Sequence, residues 1–254
     1  MEAAQKIVGI VTALPKERRA VLASARQVRK QMIDGNPLYD ALLADRQVCV
    51  IEGGMGSAAA SRATRLLLGA RQPGLLLSAG FCGAVRTGAG VGDAVICQRL
   101  LTLDAYGLSE ITPAGNERVA LQLSDALQNC GITVWQGSFI TTGQIISKTE
   151  LARTLPPNLP TPVLEMESAA VAREAAAAGI PFAAVRTVSD DAAEVLLFSL
   201  DELTGANQQI SIPKVLTTCL KKPRIIPQLA RLAANSAKAA KNLKTICRIL
   251  MHRF

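Results

Sequence analysis

Gln47-Val48-Cys49-Val50-Ile51-Glu52-Gly53-Gly54-Met55-Gly56-Ser57-Ala58-Ala59 decides the fold. A β-branched apolar run ends at an acid, turns through closely spaced glycines and enters an alanine-rich helical pattern over 57–69. Working outward, strand-like segments recur at 6–11, 47–52, 74–79, 93–97, 133–140, 161–164 and 182–188. Helical patterns lie between several of them, at 15–30, 120–130, 148–155 and 167–178. Strands alternating with alanine-rich helices predict a single α/β domain with a mixed, mostly parallel twisted sheet covered by helices on both faces.

Composition narrows the class. The chain has 254 residues, 49% hydrophobic and 19% charged, enough to bury a full core. Its apolar runs are broken by Gly or Pro well short of the roughly 20 residues that a spanning helix needs. The N-terminus lacks the pattern of a signal peptide, so a cytoplasmic location is expected. Six cysteines, Cys49, Cys82, Cys97, Cys130, Cys219 and Cys247, lie far apart without a CxxC pair and read as small core residues. A single histidine, His252, argues against a histidine metal site or triad. The charge is uneven: residues 1–203 carry 18 basic and all 20 acidic side chains, and residues 204–254 carry 10 basic ones. This divides the chain into a nearly neutral body over 1–203 and a basic helical extension over 204–254.

Two constellations could carry chemistry. The glycine turn at Gly53 to Gly56 could face an anion or a ribose hydroxyl, and Gly54, Gly56 and Ala59 fit a loose GxGxxA fingerprint. A dinucleotide site would want an acid at the end of the next strand, which instead runs Leu77-Ser78-Ala79-Gly80. The sharper constellation pairs Glu165-Met166-Glu167 with Val185-Arg186-Thr187-Val188-Ser189-Asp190, each ending a strand. Strand carboxyl ends line the ligand crevice of an α/β sheet, where Glu167, Arg186 and Asp190 could converge. Helix capping and surface ion pairs are the plainer reading of the same residues. Alternation does not decide which of Glu165 and Glu167 enters the site.

With Gly9-Ile10-Val11-Thr12-Ala13-Leu14 and Glu17, the Gly53–Gly56 turn, Ser78-Ala79-Gly80-Phe81-Cys82-Gly83-Ala84 and Val91-Gly92-Asp93-Ala94-Val95, these pieces stand in one order. Over about residues 6–195 that order and spacing resembles the methylthioadenosine/S-adenosylhomocysteine nucleosidases of the nucleoside phosphorylase and nucleosidase superfamily. The resemblance implies cleavage of an N-glycosidic bond with release of adenine. It implies Asp190 as the acid at purine N7, oriented by Ser189, and Glu17 as the carboxylate that polarises the nucleophilic water, helped by Arg186. It further implies Glu167 on the ribose hydroxyls, Met166 against the sugar, and Gly80, Phe81, Gly143, Ile146 and Leu14 lining the substrate. Such an aspartic acid must stay protonated near neutral pH, which burial would favour. Core packing for Met166 and a first-turn helix acid for Glu17 are the plainer alternatives.

The sequence also departs from that pattern. Phe81 stands where the nucleosidases place a small hydroxyl residue, and Ile146 where an aromatic usually stacks on adenine. Ser78 occupies the region where phosphorolytic relatives carry an arginine, which favours hydrolysis; Arg62, Arg86 and Arg186 remain as possible phosphate holders. No cofactor or metal is expected, with phosphate as a possible co-substrate. From Pro223 onward Ile225, Leu229, Leu232, Ser236, Leu243, Ile246 and Leu250 recur at helical spacing beside Arg224, Arg231, Lys238, Lys241 and Arg248. This basic amphipathic pattern suits an anionic membrane surface, at the inner face of the membrane, and equally a terminal helix packed on the domain. Nucleic acid is disfavoured, because no aromatics interleave with the charges. The stretch from Asp190-Asp191-Ala192-Ala193 through Leu220 to Pro227 resembles the hopanoid-associated phosphorylases, which implies adenosylhopane as substrate. Leu14 and Val195-Leu196-Leu197-Phe198 would then line an apolar 5′ pocket, and the family's habit implies a homo-oligomer. An adaptor on a degenerate nucleosidase fold is the alternative to an enzyme.

Overall fold

The computed structural model describes residues 7–111, 117–127, 131–144, 146–192 and 221–253. In chain order it contains β1 (Val8–Thr12), α1 (Pro15–Leu22), β2 (Arg26–Ile33), β3 (Asn36–Leu43), β4 (Arg46–Glu52), α2 (Ser57–Ala70), β5 (Leu75–Ala84), β6 (Ala94–Asp104) and β7 (Gly107–Glu110). There follow α3 (Glu117–Leu127), β8 (Val134–Thr142), α4 (Lys148–Thr154), β9 (Val163–Glu165), α5 (Ser168–Ala177), β10 (Phe182–Asp190) and, after a short 3-10 turn, α6 (Ile226–Met251). The sheet is mixed, as expected, but not mostly parallel: among the described residues five pairings are parallel and five antiparallel, because the hairpins β2–β3, β3–β4 and β6–β7 add antiparallel neighbours.

Its order is β10-β6-β8-β9-β5-β1-β4-β3-β2, with β7 on β6. Because β10 also pairs with β5, the strands β5, β10, β6, β8 and β9 close into a ring of five, from which β1, β4, β3 and β2 extend as a sheet. Strand β5 is where the two parts divide. One edge of it pairs with β1 as far as Ser78 and meets β9 only from Gly83. On that edge the backbone from Ala79 to Cys82 has no ladder partner, and an unpaired buried N–H must be satisfied by a side chain or by water.

Side-chain alternation sends successive residues of the strands to opposite faces. Ile10, Leu77, Ala79 and Val185 pack with Ala20 and Val21 of α1 and with Leu243, Ile246, Cys247 and Leu250 of α6. Val11, Leu76 and Ala184 pack with Ala63 and Leu67 of α2 and Ala169 and Val171 of α5 on the other face. Helices therefore cover both faces, as expected. The apolar stripe of α6 is part of this core, so the exposed side of the helix is the charged one, with Arg231, Lys238, Lys241, Lys244 and Arg248 outward. The amphipathic pattern is resolved in favour of packing on the domain. The boundary expected near residue 203, and the run 195–198, lie outside the described residues.

The helix expected over 15–30 is corrected. Helix α1 ends at Leu22 and the chain turns into β2, which pairs with β3 through a tight turn at Asp34 and Gly35 with φ of 46° and 76°. Positive φ at both central residues is the hairpin geometry that matches strand twist, and Asp-Gly suits it. The Arg26–Ile33 strand is an exposed edge, so it lacks the apolar alternation by which strands are read.

Candidate active site

Glu17 lies in the first turn of α1 and is almost completely buried, at 4% exposure. Its Oε2 accepts from the amides of Ala13 and Leu14 at 2.9 and 2.8 Å, which caps its own helix. Its Oε1 crosses to β5 and accepts from Phe81 N–H at 2.8 Å, the donor that the split in the sheet leaves without a strand partner. The two readings of Glu17 thus meet in one side chain. A Cβ on Gly80 would stand 2.4 Å from that Oε1, so the glycine is what admits the carboxylate. Burial pushes the Glu17 carboxyl upward; the Arg186 charge and the three amide donors oppose it without reversing it.

Arg186 of β10 is 2% exposed and is the cation around which the site is built. Its Nη2 donates to Glu165 Oε2 at 2.7 Å and lies 3.0 Å from both Ser78 Oγ and Ser168 Oγ. Its Nε is buried without an acceptor among the described residues. Glu165, at the end of β9, also accepts from Thr141 Oγ1 and from the amides of Glu167 and Ser168. Burial alone would raise the Glu165 carboxyl, but Arg186 and these donors hold it below the usual carboxylate range. Glu165 is thus the structural partner of Arg186, and that leaves Glu167 for the site.

Glu167 is the N-cap residue of α5, where the strand has already ended and alternation no longer applies. Its Oε1 accepts from Gly56 N–H at 2.9 Å, and its Oε2 stands 3.7 Å from Arg186 Nη2. Burial, then the neighbouring Glu165 charge, pushes its carboxyl up to about 7, against the pull of Arg186. The glycine turn that opened the sequence reading therefore faces a carboxylate of its own chain. The carbonyl oxygen of Met166 accepts from Ser57 Oγ at 3.1 Å, which ties the same two junctions a second time.

Ser189 and Asp190 end β10. Ser189 Oγ lies 3.1 Å from Asp190 Oδ1 and 3.3 Å from the Cys82 carbonyl oxygen. A Cβ on Gly83 would come within 2.7 Å of Asp190 Oδ2, so a second glycine of β5 makes room for a second acid. Asp190 is only partly buried, with 32% of its side chain exposed, and its Oδ2 is paired with Lys148 Nζ. The burial expected for this acid is thus replaced by an ion pair that the sequence reading did not contain. Leu14 and Phe81 sit half-buried beside Glu17, while Gly143 is exposed and Ile146 packs toward the Leu151, Leu155 and Leu159 cluster.

Two of the possible phosphate holders are engaged elsewhere. Arg86 donates to the carbonyl oxygens of Ala152, Leu155, Pro156 and Pro157, and Arg62 faces Asp34 at the surface. Among the described residues, no group of His, Cys, Asp and Glu could hold a metal ion, and no helix is long and apolar enough to cross a membrane.

Comparison with known proteins gives the family and the fold. A family model described as the phosphorylase superfamily matches residues 7–221. A 5′-methylthioadenosine/S-adenosylhomocysteine nucleosidase of Listeria monocytogenes is 27% identical over 220 residues, covering 77% of this chain and 91% of the relative. The crystal structure of the nucleosidase of that name from Neisseria meningitidis, in complex with methylthio-immucillin-A, superposes with a TM-score of 0.70 at 20% identity, covering 96% of this chain and 99% of its own. Futalosine hydrolase of Helicobacter pylori superposes with a TM-score of 0.70 at 16% identity, covering 95% and 97%. The likeness to these structures is one of fold. The family match spans most of the chain and all the residues assembled above, and the chain belongs to the phosphorylase superfamily.

Proposed function

We propose that this protein hydrolyses the N-glycosidic bond of an adenine nucleoside. The observation that carries the reading is the charge arrangement at the split in the sheet, where Glu17, Glu165 and Glu167 surround the single guanidinium of Arg186. Breaking the C1′–N9 bond leaves positive charge on the ribosyl group and electron density on the purine. A carboxylate-rich pocket favours the first, and an acid at N7 relieves the second. Glu17 polarises the attacking water, Glu167 accepts from the ribose hydroxyls, and Asp190 delivers the proton to N7. The Arg186 Nε, which has no acceptor among the described residues, is a donor suited to the oxygen of that water. The same negative surroundings disfavour phosphate, and the engagement of Arg62 and Arg86 removes two of its possible holders. No cofactor enters the scheme.

Within that class we place the substrate as adenosylhopane, cleaved to ribosylhopane in hopanoid biosynthesis. The reading is supported by the resemblance of the 190–227 stretch and by the exposed basic side of α6, which suits the anionic inner face of a membrane. The names of the relatives favour methylthioadenosine or S-adenosylhomocysteine instead. A homo-oligomer in the cytoplasm is part of the proposal. The test is chromatographic adenine release from the three nucleosides, each with and without phosphate. Phosphate-independent release from the lipid substrate alone is the expected outcome. Strict phosphate dependence overturns hydrolysis, and release from methylthioadenosine alone overturns the lipid assignment. Asp190→Asn should lower turnover by about 10²–10⁴ with the fold intact, and full activity in that variant removes Asp190 as the acid.

A further inference from the structure

Lys148 belongs to none of the motifs by which the family is recognised, yet its ammonium is the cation that meets Asp190. It is the first residue of α4, fixed there by the N-cap Ser147, whose Oγ accepts from Glu150 N–H at 3.3 Å. The side chain is 13% exposed, and its Nζ pairs with Asp190 Oδ2 and donates to the Asp191 carbonyl oxygen at 2.5 Å. A lysine held this way gives up conformational freedom and solvation in order to sit on one carboxylate.

We propose that Lys148 is the proton store behind Asp190. The inference rests on the reading of Asp190 as the donor to purine N7. In the free enzyme Asp190 Oδ2 is occupied by the Lys148 ammonium, which places an N–H bond of the lysine directly behind the donor to N7. As the C1′–N9 bond breaks and its electron pair moves onto the purine, an N–H bond of Lys148 breaks and an O–H bond forms on Asp190. That O–H bond then breaks as N7–H forms. Lys148 is left as the neutral amine and regains a proton from solvent, balanced by the proton that Glu17 takes from the attacking water. The Ser189 hydroxyl fits both states: it donates to Oδ1 of the carboxylate, or turns to the Cys82 carbonyl oxygen and accepts from the acid. An ammonium can supply this proton and a guanidinium cannot, because arginine does not deprotonate in proteins.

The titratable groups facing the pair are Cys82 of β5, whose thiol burial keeps neutral, Glu165 and Arg186 deeper in the site, and the adjoining Asp191. Cys82, Glu165 and Arg186 keep their protonation states across the working range, whereas Glu167 titrates at about 7 in the unaltered protein and the variants alike, so each variant's profile is read against that of the unaltered protein.

The test is kcat and KM against pH for the full chain and for Lys148→Arg and Lys148→Met, with methylthioadenosine, or detergent-dispersed adenosylhopane if only that turns over. Both variants should lose about 10²–10³ in kcat with KM changed less than about threefold. In Lys148→Met no neighbouring ammonium can recharge Asp190, so the shape of the pH profile should differ from that of the unaltered protein. Melting curves and adenine titration identify a variant that has merely lost its fold, in which case Lys148→Arg, which keeps the charge, decides. Full kcat with an unchanged profile in Lys148→Arg overturns the proposal and leaves Lys148 as a positioning charge. Full activity in Lys148→Met overturns it outright. An active Asp190→Asn fails the underlying reading; an inactive Asp190→Asn beside an active Lys148→Met fails only the role of Lys148.

Discussion

At the scale of single residues the site is a set of close approaches. Gly80 and Gly83 lie three positions apart on β5, and each leaves the space that a carboxylate fills, Glu17 at one and Asp190 at the other. Gly80→Ala should expel Glu17 from Phe81 N–H and lower turnover by about 10²–10⁴. The crowding should cost about 1–3 kcal/mol in a denaturant titration. Adding Glu17→Ala to that variant should restore part of the stability and none of the activity, a coupling that a double-mutant cycle reads directly. Glu167 makes a prediction about pH. Its folded value of about 7 stands above the ordinary 4.5, so the native state holds an extra proton between them. Stability therefore falls as pH rises through that window, by on the order of 3 kcal/mol from this group. Glu17 is raised as well and acts in the same direction, whereas Glu165 is lowered and costs stability only as pH falls below 4.5. Melting temperature against pH for Glu167→Gln should be flatter between pH 5 and 7 than for the unaltered protein. The family resemblance named Glu17, and strand ends legible in one dimension pointed to Glu167, Arg186 and Asp190. They could not name Lys148, whose partner is 42 residues away, nor separate Glu165 from Glu167, because that depends on where β9 stops.

At the scale of elements, the buried strands were legible because parallel neighbours on both sides demand continuous apolar runs. Helix starts at Pro15, Ser57 and Lys148 were legible from their proline, glycine and serine signals. The β2–β3 hairpin was not, because an edge strand rich in Arg and Lys meets water on its outward positions and shows no period of two. Its best signal was the Asp34-Gly35 pair, which sits inside a polar stretch that helical spacing also fits. Helix α6 shows the opposite case, a strong period whose partner the sequence leaves open. Since Leu243 is fully buried in the shared core, Leu243→Ala should cost about 2–5 kcal/mol. Lys241→Ala, on the exposed side, should stay within about 0.5 kcal/mol. Chemical denaturation of the two variants checks both, and equal losses would mean that the helix does not dock as described.

At the scale of the whole molecule the ring of five strands and the outer sheet share one strand, and the chemistry gathers where they part. The family match ends at residue 221, but the fold does not. Helix α6 covers the face formed by Ile10, Leu77, Val185 and Ile96. Its Asn242 Nδ2 donates to the Gly92 carbonyl oxygen at 2.7 Å, while Gly92 N–H donates to the Val188 carbonyl oxygen at 2.8 Å, one residue before Ser189. A chain ending at residue 222 should therefore expose that face and lose cooperative unfolding, which calorimetry would register as the absence of a sharp transition; a sharp transition there would make α6 an accessory. The clasp between α6 and the Gly92 loop also imposes an order in time. Every residue of the site is translated before α6, yet the strand that carries Asp190 lacks its backing until that helix has left the ribosome. A nascent chain should therefore begin turnover only after α6 has emerged and docked, which adenine release timed during translation in vitro would check.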